Sequence, residues 1–171
     1  MKNRLLFALL ATFGFSGAAL SDSNNQRSIE EIRSVVEVFR VSIIQKDKER
    51  FKSLFYSDNI PFIAVFSDEM LDLKRKENPN YPRSVDFGKF GSPIERMISD
   101  EEEQEEKIWN VQIETDGYLG SVHFNYSDHV DGYKRAWGTE AWDLVKEDTG
   151  WKIVSVTFTV TENTEPNENK S

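Results

Sequence analysis

The stretch Asp116–Val160, DGYLGSVHFNYSDHVDGYKRAWGTEAWDLVKEDTGWKIVSVTFTV, decides the fold. Three long apolar-rich runs are separated by Asp116-Gly117, Asp131-Gly132 and Asp148-Thr149-Gly150. Asp and Gly tolerate the positive φ angles that tight hairpins demand, so each separator is a turn and the block is a meander of antiparallel strands. A further strand precedes it at Glu106–Glu114. The runs are about ten residues or longer, against a usual strand of about five or six, and strands that long twist and bend.

A bent sheet offers one concave apolar face, and the helices of the chain have that face on which to bury themselves. Ser28-Ile29-Glu30-Glu31 forms a capping box ahead of Ile32, Val35, Val36, Phe39 and Ile43 at helical spacing, which predicts a first amphipathic helix to about Lys46. Asp47 caps a second, short helix carrying Phe51, Leu54 and Phe55. Phe62–Phe66 is apolar throughout and reads as a short buried strand. From Met70 to Gly91 the punctuation by Asn78, Pro79, Asn80, Pro82 and Gly88 predicts a loop, and Ser92-Pro93-Ile94-Glu95 opens a third helix. The expected object is one α+β domain over residues 28–160: a curved antiparallel sheet wrapped round about three helices as a cone, with a cavity where the wrap is incomplete.

The two ends read differently. Met1–Ser21 has a basic start at Lys2 and Arg4, an apolar run from Leu5 to Phe15, and small residues at Gly17, Ala18, Ala19 and Ser21. This pattern predicts a cleavable signal peptide, hence a periplasmic or secreted bacterial protein with no stable membrane association after cleavage. Thr161–Ser171 is Asn, Glu, Pro and Lys-rich and is expected to be a disordered tail.

The formal charge of −9 argues against a nucleic-acid partner, because an acidic surface repels phosphate. Cys is absent, which excludes a disulfide framework, a thiol nucleophile and a thiolate metal site. Asp100–Glu106 carries six carboxylates and one Gln without calcium-loop spacing, so the run is expected to be solvated and no metal is called for. No Gly-x-Ser-x-Gly elbow, phosphate-cradling loop or His-Glu-x-x-His helix is present, and no cofactor is implied.

The order helix, short helix, strand, helix, long meander, together with Trp137-Gly138-Thr139-Glu140-Ala141-Trp142-Asp143-Leu144-Val145 and the closing Gly150-Trp151-Lys152-Ile153-Val154, resembles the nuclear transport factor 2-like (NTF2-like) superfamily, which includes SnoaL-like and steroid-isomerase-like members. The resemblance spans about Ile29–Val160. It implies a cystatin-like α+β roll, often a homodimer through the sheet, with a pocket at the open end. The steroid-isomerase branch fits poorly: the first helix has no Tyr, Trp142 stands about where that branch places an acid, and Asp68 is the only residue near the place of its base.

Register decides which side chains face the pocket. A three-residue turn at Asp148–Gly150 puts Leu144, Trp142 and Glu140 on one apolar face with Val154, Val156 and Phe158. Glu140 is the odd residue in that row, and a buried carboxylate needs a partner, a proton or a wet mouth. A two-residue turn at Asp131-Gly132 would set His123 opposite Glu140 as an acid–base pair. A turn with one extra bulge residue would send Val122, Phe124 and Tyr126 inward and leave His123 outside; it buries the more apolar set and is preferred.

Three functions follow as expectations. The first is an exported domain binding a small apolar or aromatic molecule in a cavity lined by Trp142, Tyr126, Phe124 and Phe158, with Glu140 supplying polarity. The second is a cofactor-free isomerase, cyclase or dehydratase using Glu140 with His123 or Asp68. The third is a homodimer through the convex sheet face, carrying Trp137 and His123.

Overall fold

The computed structural model describes residues 17–166. The expected leader, Met1–Ser21, lies largely outside them, as does the end of the tail, 167–171. The elements run α1 (Gly17–Gln45), α2 (Lys48–Lys52), β1 (Phe62–Phe66), α3 (Asp68–Glu77), β2 (Ser84–Asp86), α4 (Pro93–Arg96), β3 (Gln104–Thr115), β4 (Leu119–Val130), β5 (Tyr133–Glu147) and β6 (Gly150–Glu162).

The helix α1 begins well before Ser28, which is buried inside it at 2% exposure rather than capping it. No Pro or Gly lies between Ala18 and Arg27, so nothing local stops the helix there. Glu31, expected to turn back toward the cap, instead accepts from Lys146 Nζ at 2.7 Å and Trp151 Nε1 at 3.0 Å. The C-terminal end is sharper. Lys46 takes a left-handed φ of 57°, and the amides of Asp47 and Lys46 donate back to the carbonyls of Ser42 and Ile43 at 2.9 and 3.2 Å, a Schellman closure. Asp47 then caps α2 by accepting from the Arg50 amide.

The expected loop Met70–Gly91 contains α3 and β2. Ser67 caps α3, and Met70 and Leu71 bury against Ala64, Phe66, Ala136 and Val160. That apolar stripe is short and is followed by Lys74, Arg75 and Lys76, which is why its period is faint in the sequence. At the other end of the segment, β2 pairs with β1. Ser92 caps the single turn of α4, with Pro93 in its first turn.

One six-stranded sheet, in the order β2-β1-β6-β5-β4-β3, carries everything else. It is antiparallel except where β1 runs parallel to β6, so the expected all-antiparallel sheet is in fact mixed. Parallel neighbours need a long crossover, and the whole chain between β1 and β6 supplies it. The long strands bend at three bulges: between Trp109 and Gln112 in β3, at Arg135 in β5 opposite Asp128 and His129, and at Val154 in β6 opposite Asp143 and Leu144.

These bulges settle the faces. The β4–β5 turn has two residues, Asp131 and Gly132, with φ of 51° and 79°. The adjacent bulge then shifts the pairing to Phe124 opposite Glu140 and Val122 opposite Trp142, so His123 points to the exposed convex side. The β5–β6 turn is also shorter than expected, pairing Glu147 with Gly150, so Leu144 faces Ile153 rather than Val154. Beyond the bulge the expected pairs Trp142–Val156 and Glu140–Phe158 appear.

Helix α1 lies in the resulting trough with Ile32, Val36, Phe39 and Ile43 buried. Phe39 sits 4.8 Å from Trp142 and 5.0 Å from Phe51 between ring centroids, and Phe124 meets Trp142 edge-on at 5.0 Å. Gly138 has a distinct role beside this core. A Cβ there would drive into the Thr159 carbonyl of β6, and Tyr126, opposite Gly138 on β4, reaches across β5 to donate from Oη to that carbonyl at 2.9 Å. Gly138→Ala should therefore destabilise by about 2–3 kcal/mol, as overpacking of a close backbone contact does. Urea denaturation checks it, and a change under about 0.5 kcal/mol would show that the approach is not tight.

Candidate functional site

On β5 the inward positions Ala136 and Gly138 are small, and the sheet is hollow over them. A cavity of ≈ 640 Å³ occupies this space, between the C-terminal part of α1 at Ile43, the α4 region at Pro93, Arg96 and Met97, and the concave ends of β3 to β6. Its apolar wall includes Phe62, Phe87, Tyr126, Phe158 and Val160. Its polar groups are Gln104, Glu106, Asp128, Arg135, Glu140, Glu162 and Asn163, besides Arg96.

Of the residues expected here, Tyr126, Phe158 and Glu140 line the cavity. Trp142 and Phe124 do not. At 1% and 0% exposure they are core beneath it, because the deep end of the cone is plugged by Phe39. His123 lies on the other face of the sheet, paired across strands with Ala141, so it does not meet Glu140. Asp68 is in the first turn of α3, ion-paired with Arg83 at 2.8 Å with its side chain 88% exposed, and lies away from the cavity.

The partner brought to Glu140 is Glu106. The acidic run Asp100–Glu106 was expected to be solvated as a whole, but β3 starts at Gln104, and strand alternation turns Gln104 and Glu106 inward. The signal available in the sequence was the inward–outward alternation of Glu105 and Glu106, which a run of like residues conceals. Glu106 and Glu140 are 7% and 5% exposed. Glu140 Oε1 accepts from Trp142 Nε1 at 2.5 Å, whereas Glu106 Oε1 has no hydrogen-bond partner among the described residues.

Burial is the first cause that shifts both carboxyls. It raises Glu106 well above the ordinary range, with the charges of Glu140 and Asp128 adding to it. Burial pushes Glu140 up to about 7, against the smaller downward pull of the Trp142 indole. The Tyr126 phenol is raised by burial and then by Glu140 and Glu106, so it stays neutral and keeps its proton for Thr159. The other acids at the site have counter-ions. Arg135 brings Nε and Nη2 to Asp128 Oδ2 at 2.7 and 2.5 Å, and Lys74 bonds Glu162 at 3.0 Å. Arg96 is occupied by the carbonyls of Ser92 and Gly91, both at 3.2 Å. Chemically, the pair can give or take a proton near neutral pH, or face a bound cation. Among the described residues no group of three or more His, Asp or Glu is placed to hold a metal ion.

The pair makes stability fall as pH rises. A carboxyl whose folded pKa exceeds its unfolded one holds its proton more tightly when folded, so its contribution is full below about 4.5 and is lost as pH climbs to about 7. Glu140→Gln keeps an acceptor for Trp142 and removes the proton requirement. At pH 8 it should be more stable than the parent by about 1–3 kcal/mol, with the difference vanishing near pH 4.5. Denaturant titrations at the two pH values check this, and a pH-independent difference would contradict it.

No protein-family model and no curated protein matches the chain. Solved structures do. An NTF2-like protein of unknown function from Pseudomonas putida KT2440 superposes with a TM-score of 0.56 at 10% identity, covering 82% of this chain and 91% of that one. A proposed dehydratase of the NTF2-like family from Streptomyces avermitilis gives 0.54 at 14% identity, over 80% and 97%. A protein of unknown function with a cystatin-like fold from Nostoc punctiforme gives 0.51 at 11%, over 77% and 89%. At these identities the likeness is one of fold, and activity does not travel with it. The chain has the cone-shaped α+β fold of the NTF2-like superfamily.

Proposed function

We propose that this is an exported small-ligand-binding domain whose cavity takes a small, largely apolar or aromatic molecule. The observation that carries the reading is the ≈ 640 Å³ cavity with Phe62, Phe87, Tyr126 and Phe158 in its wall and few polar groups without partners. Its size falls within the range of about 300–1,000 Å³ typical of small-molecule sites, and flat rings give large contact area with little conformational loss. Export rests on the leader pattern of Met1–Ser21. Among the described residues no helix is long and apolar enough to cross a membrane. A homodimer through the convex face, where His123 and Trp109 are exposed, is compatible with this reading.

One observation favours a second reading, a cofactor-free acid–base enzyme of the isomerase, cyclase or dehydratase kind. Glu106 and Glu140 form a buried pair inside the cavity, with Glu140 poised near neutral pH, where proton transfer is most effective. In this version Glu106 replaces His123 and Asp68 as the partner of Glu140.

Ala136→Phe would fill the hollow over β5, at a cost to the cluster of Ala64, Phe66, Met70, Leu71 and Val160 that Ala136 also joins, so each protein's shift is read from its own ligand-free midpoint. Thermal denaturation with a panel of small aromatic compounds should raise the midpoint of the parent and leave the variant unmoved. A ligand at a hundredfold excess over its Kd adds about 2.7 kcal/mol of stability. Equal shifts in both proteins, or none in the parent, would contradict binding in this cavity.

A further inference from the structure

Resting on the cavity as the ligand site, we propose that its ligand is an organic cation: a protonated amine on an aromatic or alicyclic body, with the ammonium held between Glu106 and Glu140.

The other acids at the cavity are ion-paired, and Arg96 spends its donors on backbone carbonyls rather than on either carboxyl. Asp128 has Arg135, Glu162 has Lys74, and Arg96 holds two backbone carbonyls. Glu106 and Glu140 have no cation paired with either among the described residues. Both are more than nine-tenths buried, both line the cavity, and Glu106 Oε1 has no donor among the described residues. A buried carboxyl in that state must either hold a proton or meet a positive charge. Glu140 is half-satisfied by the Trp142 indole, a neutral donor that leaves its charge uncompensated. A ligand bringing several N–H donors and a positive charge to this point satisfies the orphan oxygen and both charges at once.

The walls fit the rest of such a molecule. The rings of Tyr126 and Phe158, 6.3 Å apart and near perpendicular, stand next to the acids, and ring faces attract a cation as well as its apolar body. An anion would be repelled by the ionised pair, and a neutral donor could bond a carboxylate oxygen but would leave the charge of the pair uncompensated. A bare metal ion is disfavoured because the described residues provide no cluster of three or more ligands.

Binding is then linked to protons. Near neutral pH the site holds at least part of a proton on the acid pair, and an arriving ammonium displaces it to the solvent as the carboxyls ionise. The groups facing the pair are Tyr126 and Asp128 from β4, Arg135 from β5, Glu162 from β6 and Arg96 from α4. Tyr126 stays neutral, and the last four are engaged as described, so the pair itself carries the pH dependence.

Isothermal titration with 2-phenylethylamine, 2-phenylethanol and phenylacetate as probes tests this. At pH 7.5 the amine should bind at least about tenfold more tightly than the alcohol, with no binding of phenylacetate. Amine affinity should rise between pH 6 and 8, and its heat should differ between phosphate and Tris buffers by an amount that reports proton release. Glu106→Gln and Glu140→Gln should each weaken the amine about tenfold or more and leave the alcohol unchanged. If amine and alcohol bind alike, or the Gln variants weaken both equally, the cationic ligand is overturned while the cavity reading stands. If none of the three probes binds and neutral aromatics also fail to stabilise the protein, both fall together.

Discussion

Trp142 is the side chain on which the rest of the structure depends. Its ring is 1% exposed, meets Phe39 of α1 on one side and Phe124 of β4 on the other, and so locks the long helix to the bent sheet. Its indole N–H is meanwhile committed to Glu140. A buried indole needs an acceptor, and here the acceptor is a carboxyl at the floor of a cavity. Core and site are therefore one unit: what plugs the deep end of the cone also orients the group that gives the open end its chemistry.

The cavity exists because β5 is empty where its neighbours are full. Ala136 and Gly138 leave the space, and Gly138 also lets Tyr126 cross β5 to the Thr159 carbonyl. The bulges supply the curvature that turns this gap into an enclosed volume. Into it the sheet delivers two carboxyls with no counter-ion among the described residues, at a cost in stability that ordinary core packing would avoid. Such a cost is commonly found where a ligand or a proton is handled.

The turns Asp116-Gly117, Asp131-Gly132 and Asp148-Thr149-Gly150 carried the meander, and the apolar balance of the β4 faces correctly turned Phe124 and Tyr126 inward and His123 outward. Some features were hidden because tertiary context outweighed local signals. The capping box at Ser28 is overrun by a helix that nothing upstream breaks, and Glu31 goes to Lys146 and Trp151 instead. Val154 lost its inward place to Ile153 because the turn has two residues and Val154 is itself the bulge residue of β6. Glu106 was concealed by composition: at the end of a run of acids, only the start of β3 reveals that it turns inward with Gln104. The β5–β6 half of the site could thus be read as far as Glu140 and Phe158, while its acidic partner on β3 could not.

The chemistry of the site depends on Glu106 and Glu140 being buried together where their ionisation is resisted. Following the side-chain carboxyl resonances of ¹³C-labelled glutamate from pH 3 to 9 in the ligand-free protein, with Glu106→Gln and Glu140→Gln for assignment, measures this directly. Glu140 should show a midpoint of about 7 and Glu106 one well above the ordinary range, and the survivor should move downward when either partner is neutralised. Two independent titrations near 4.5, indifferent to each other's mutation, would contradict it.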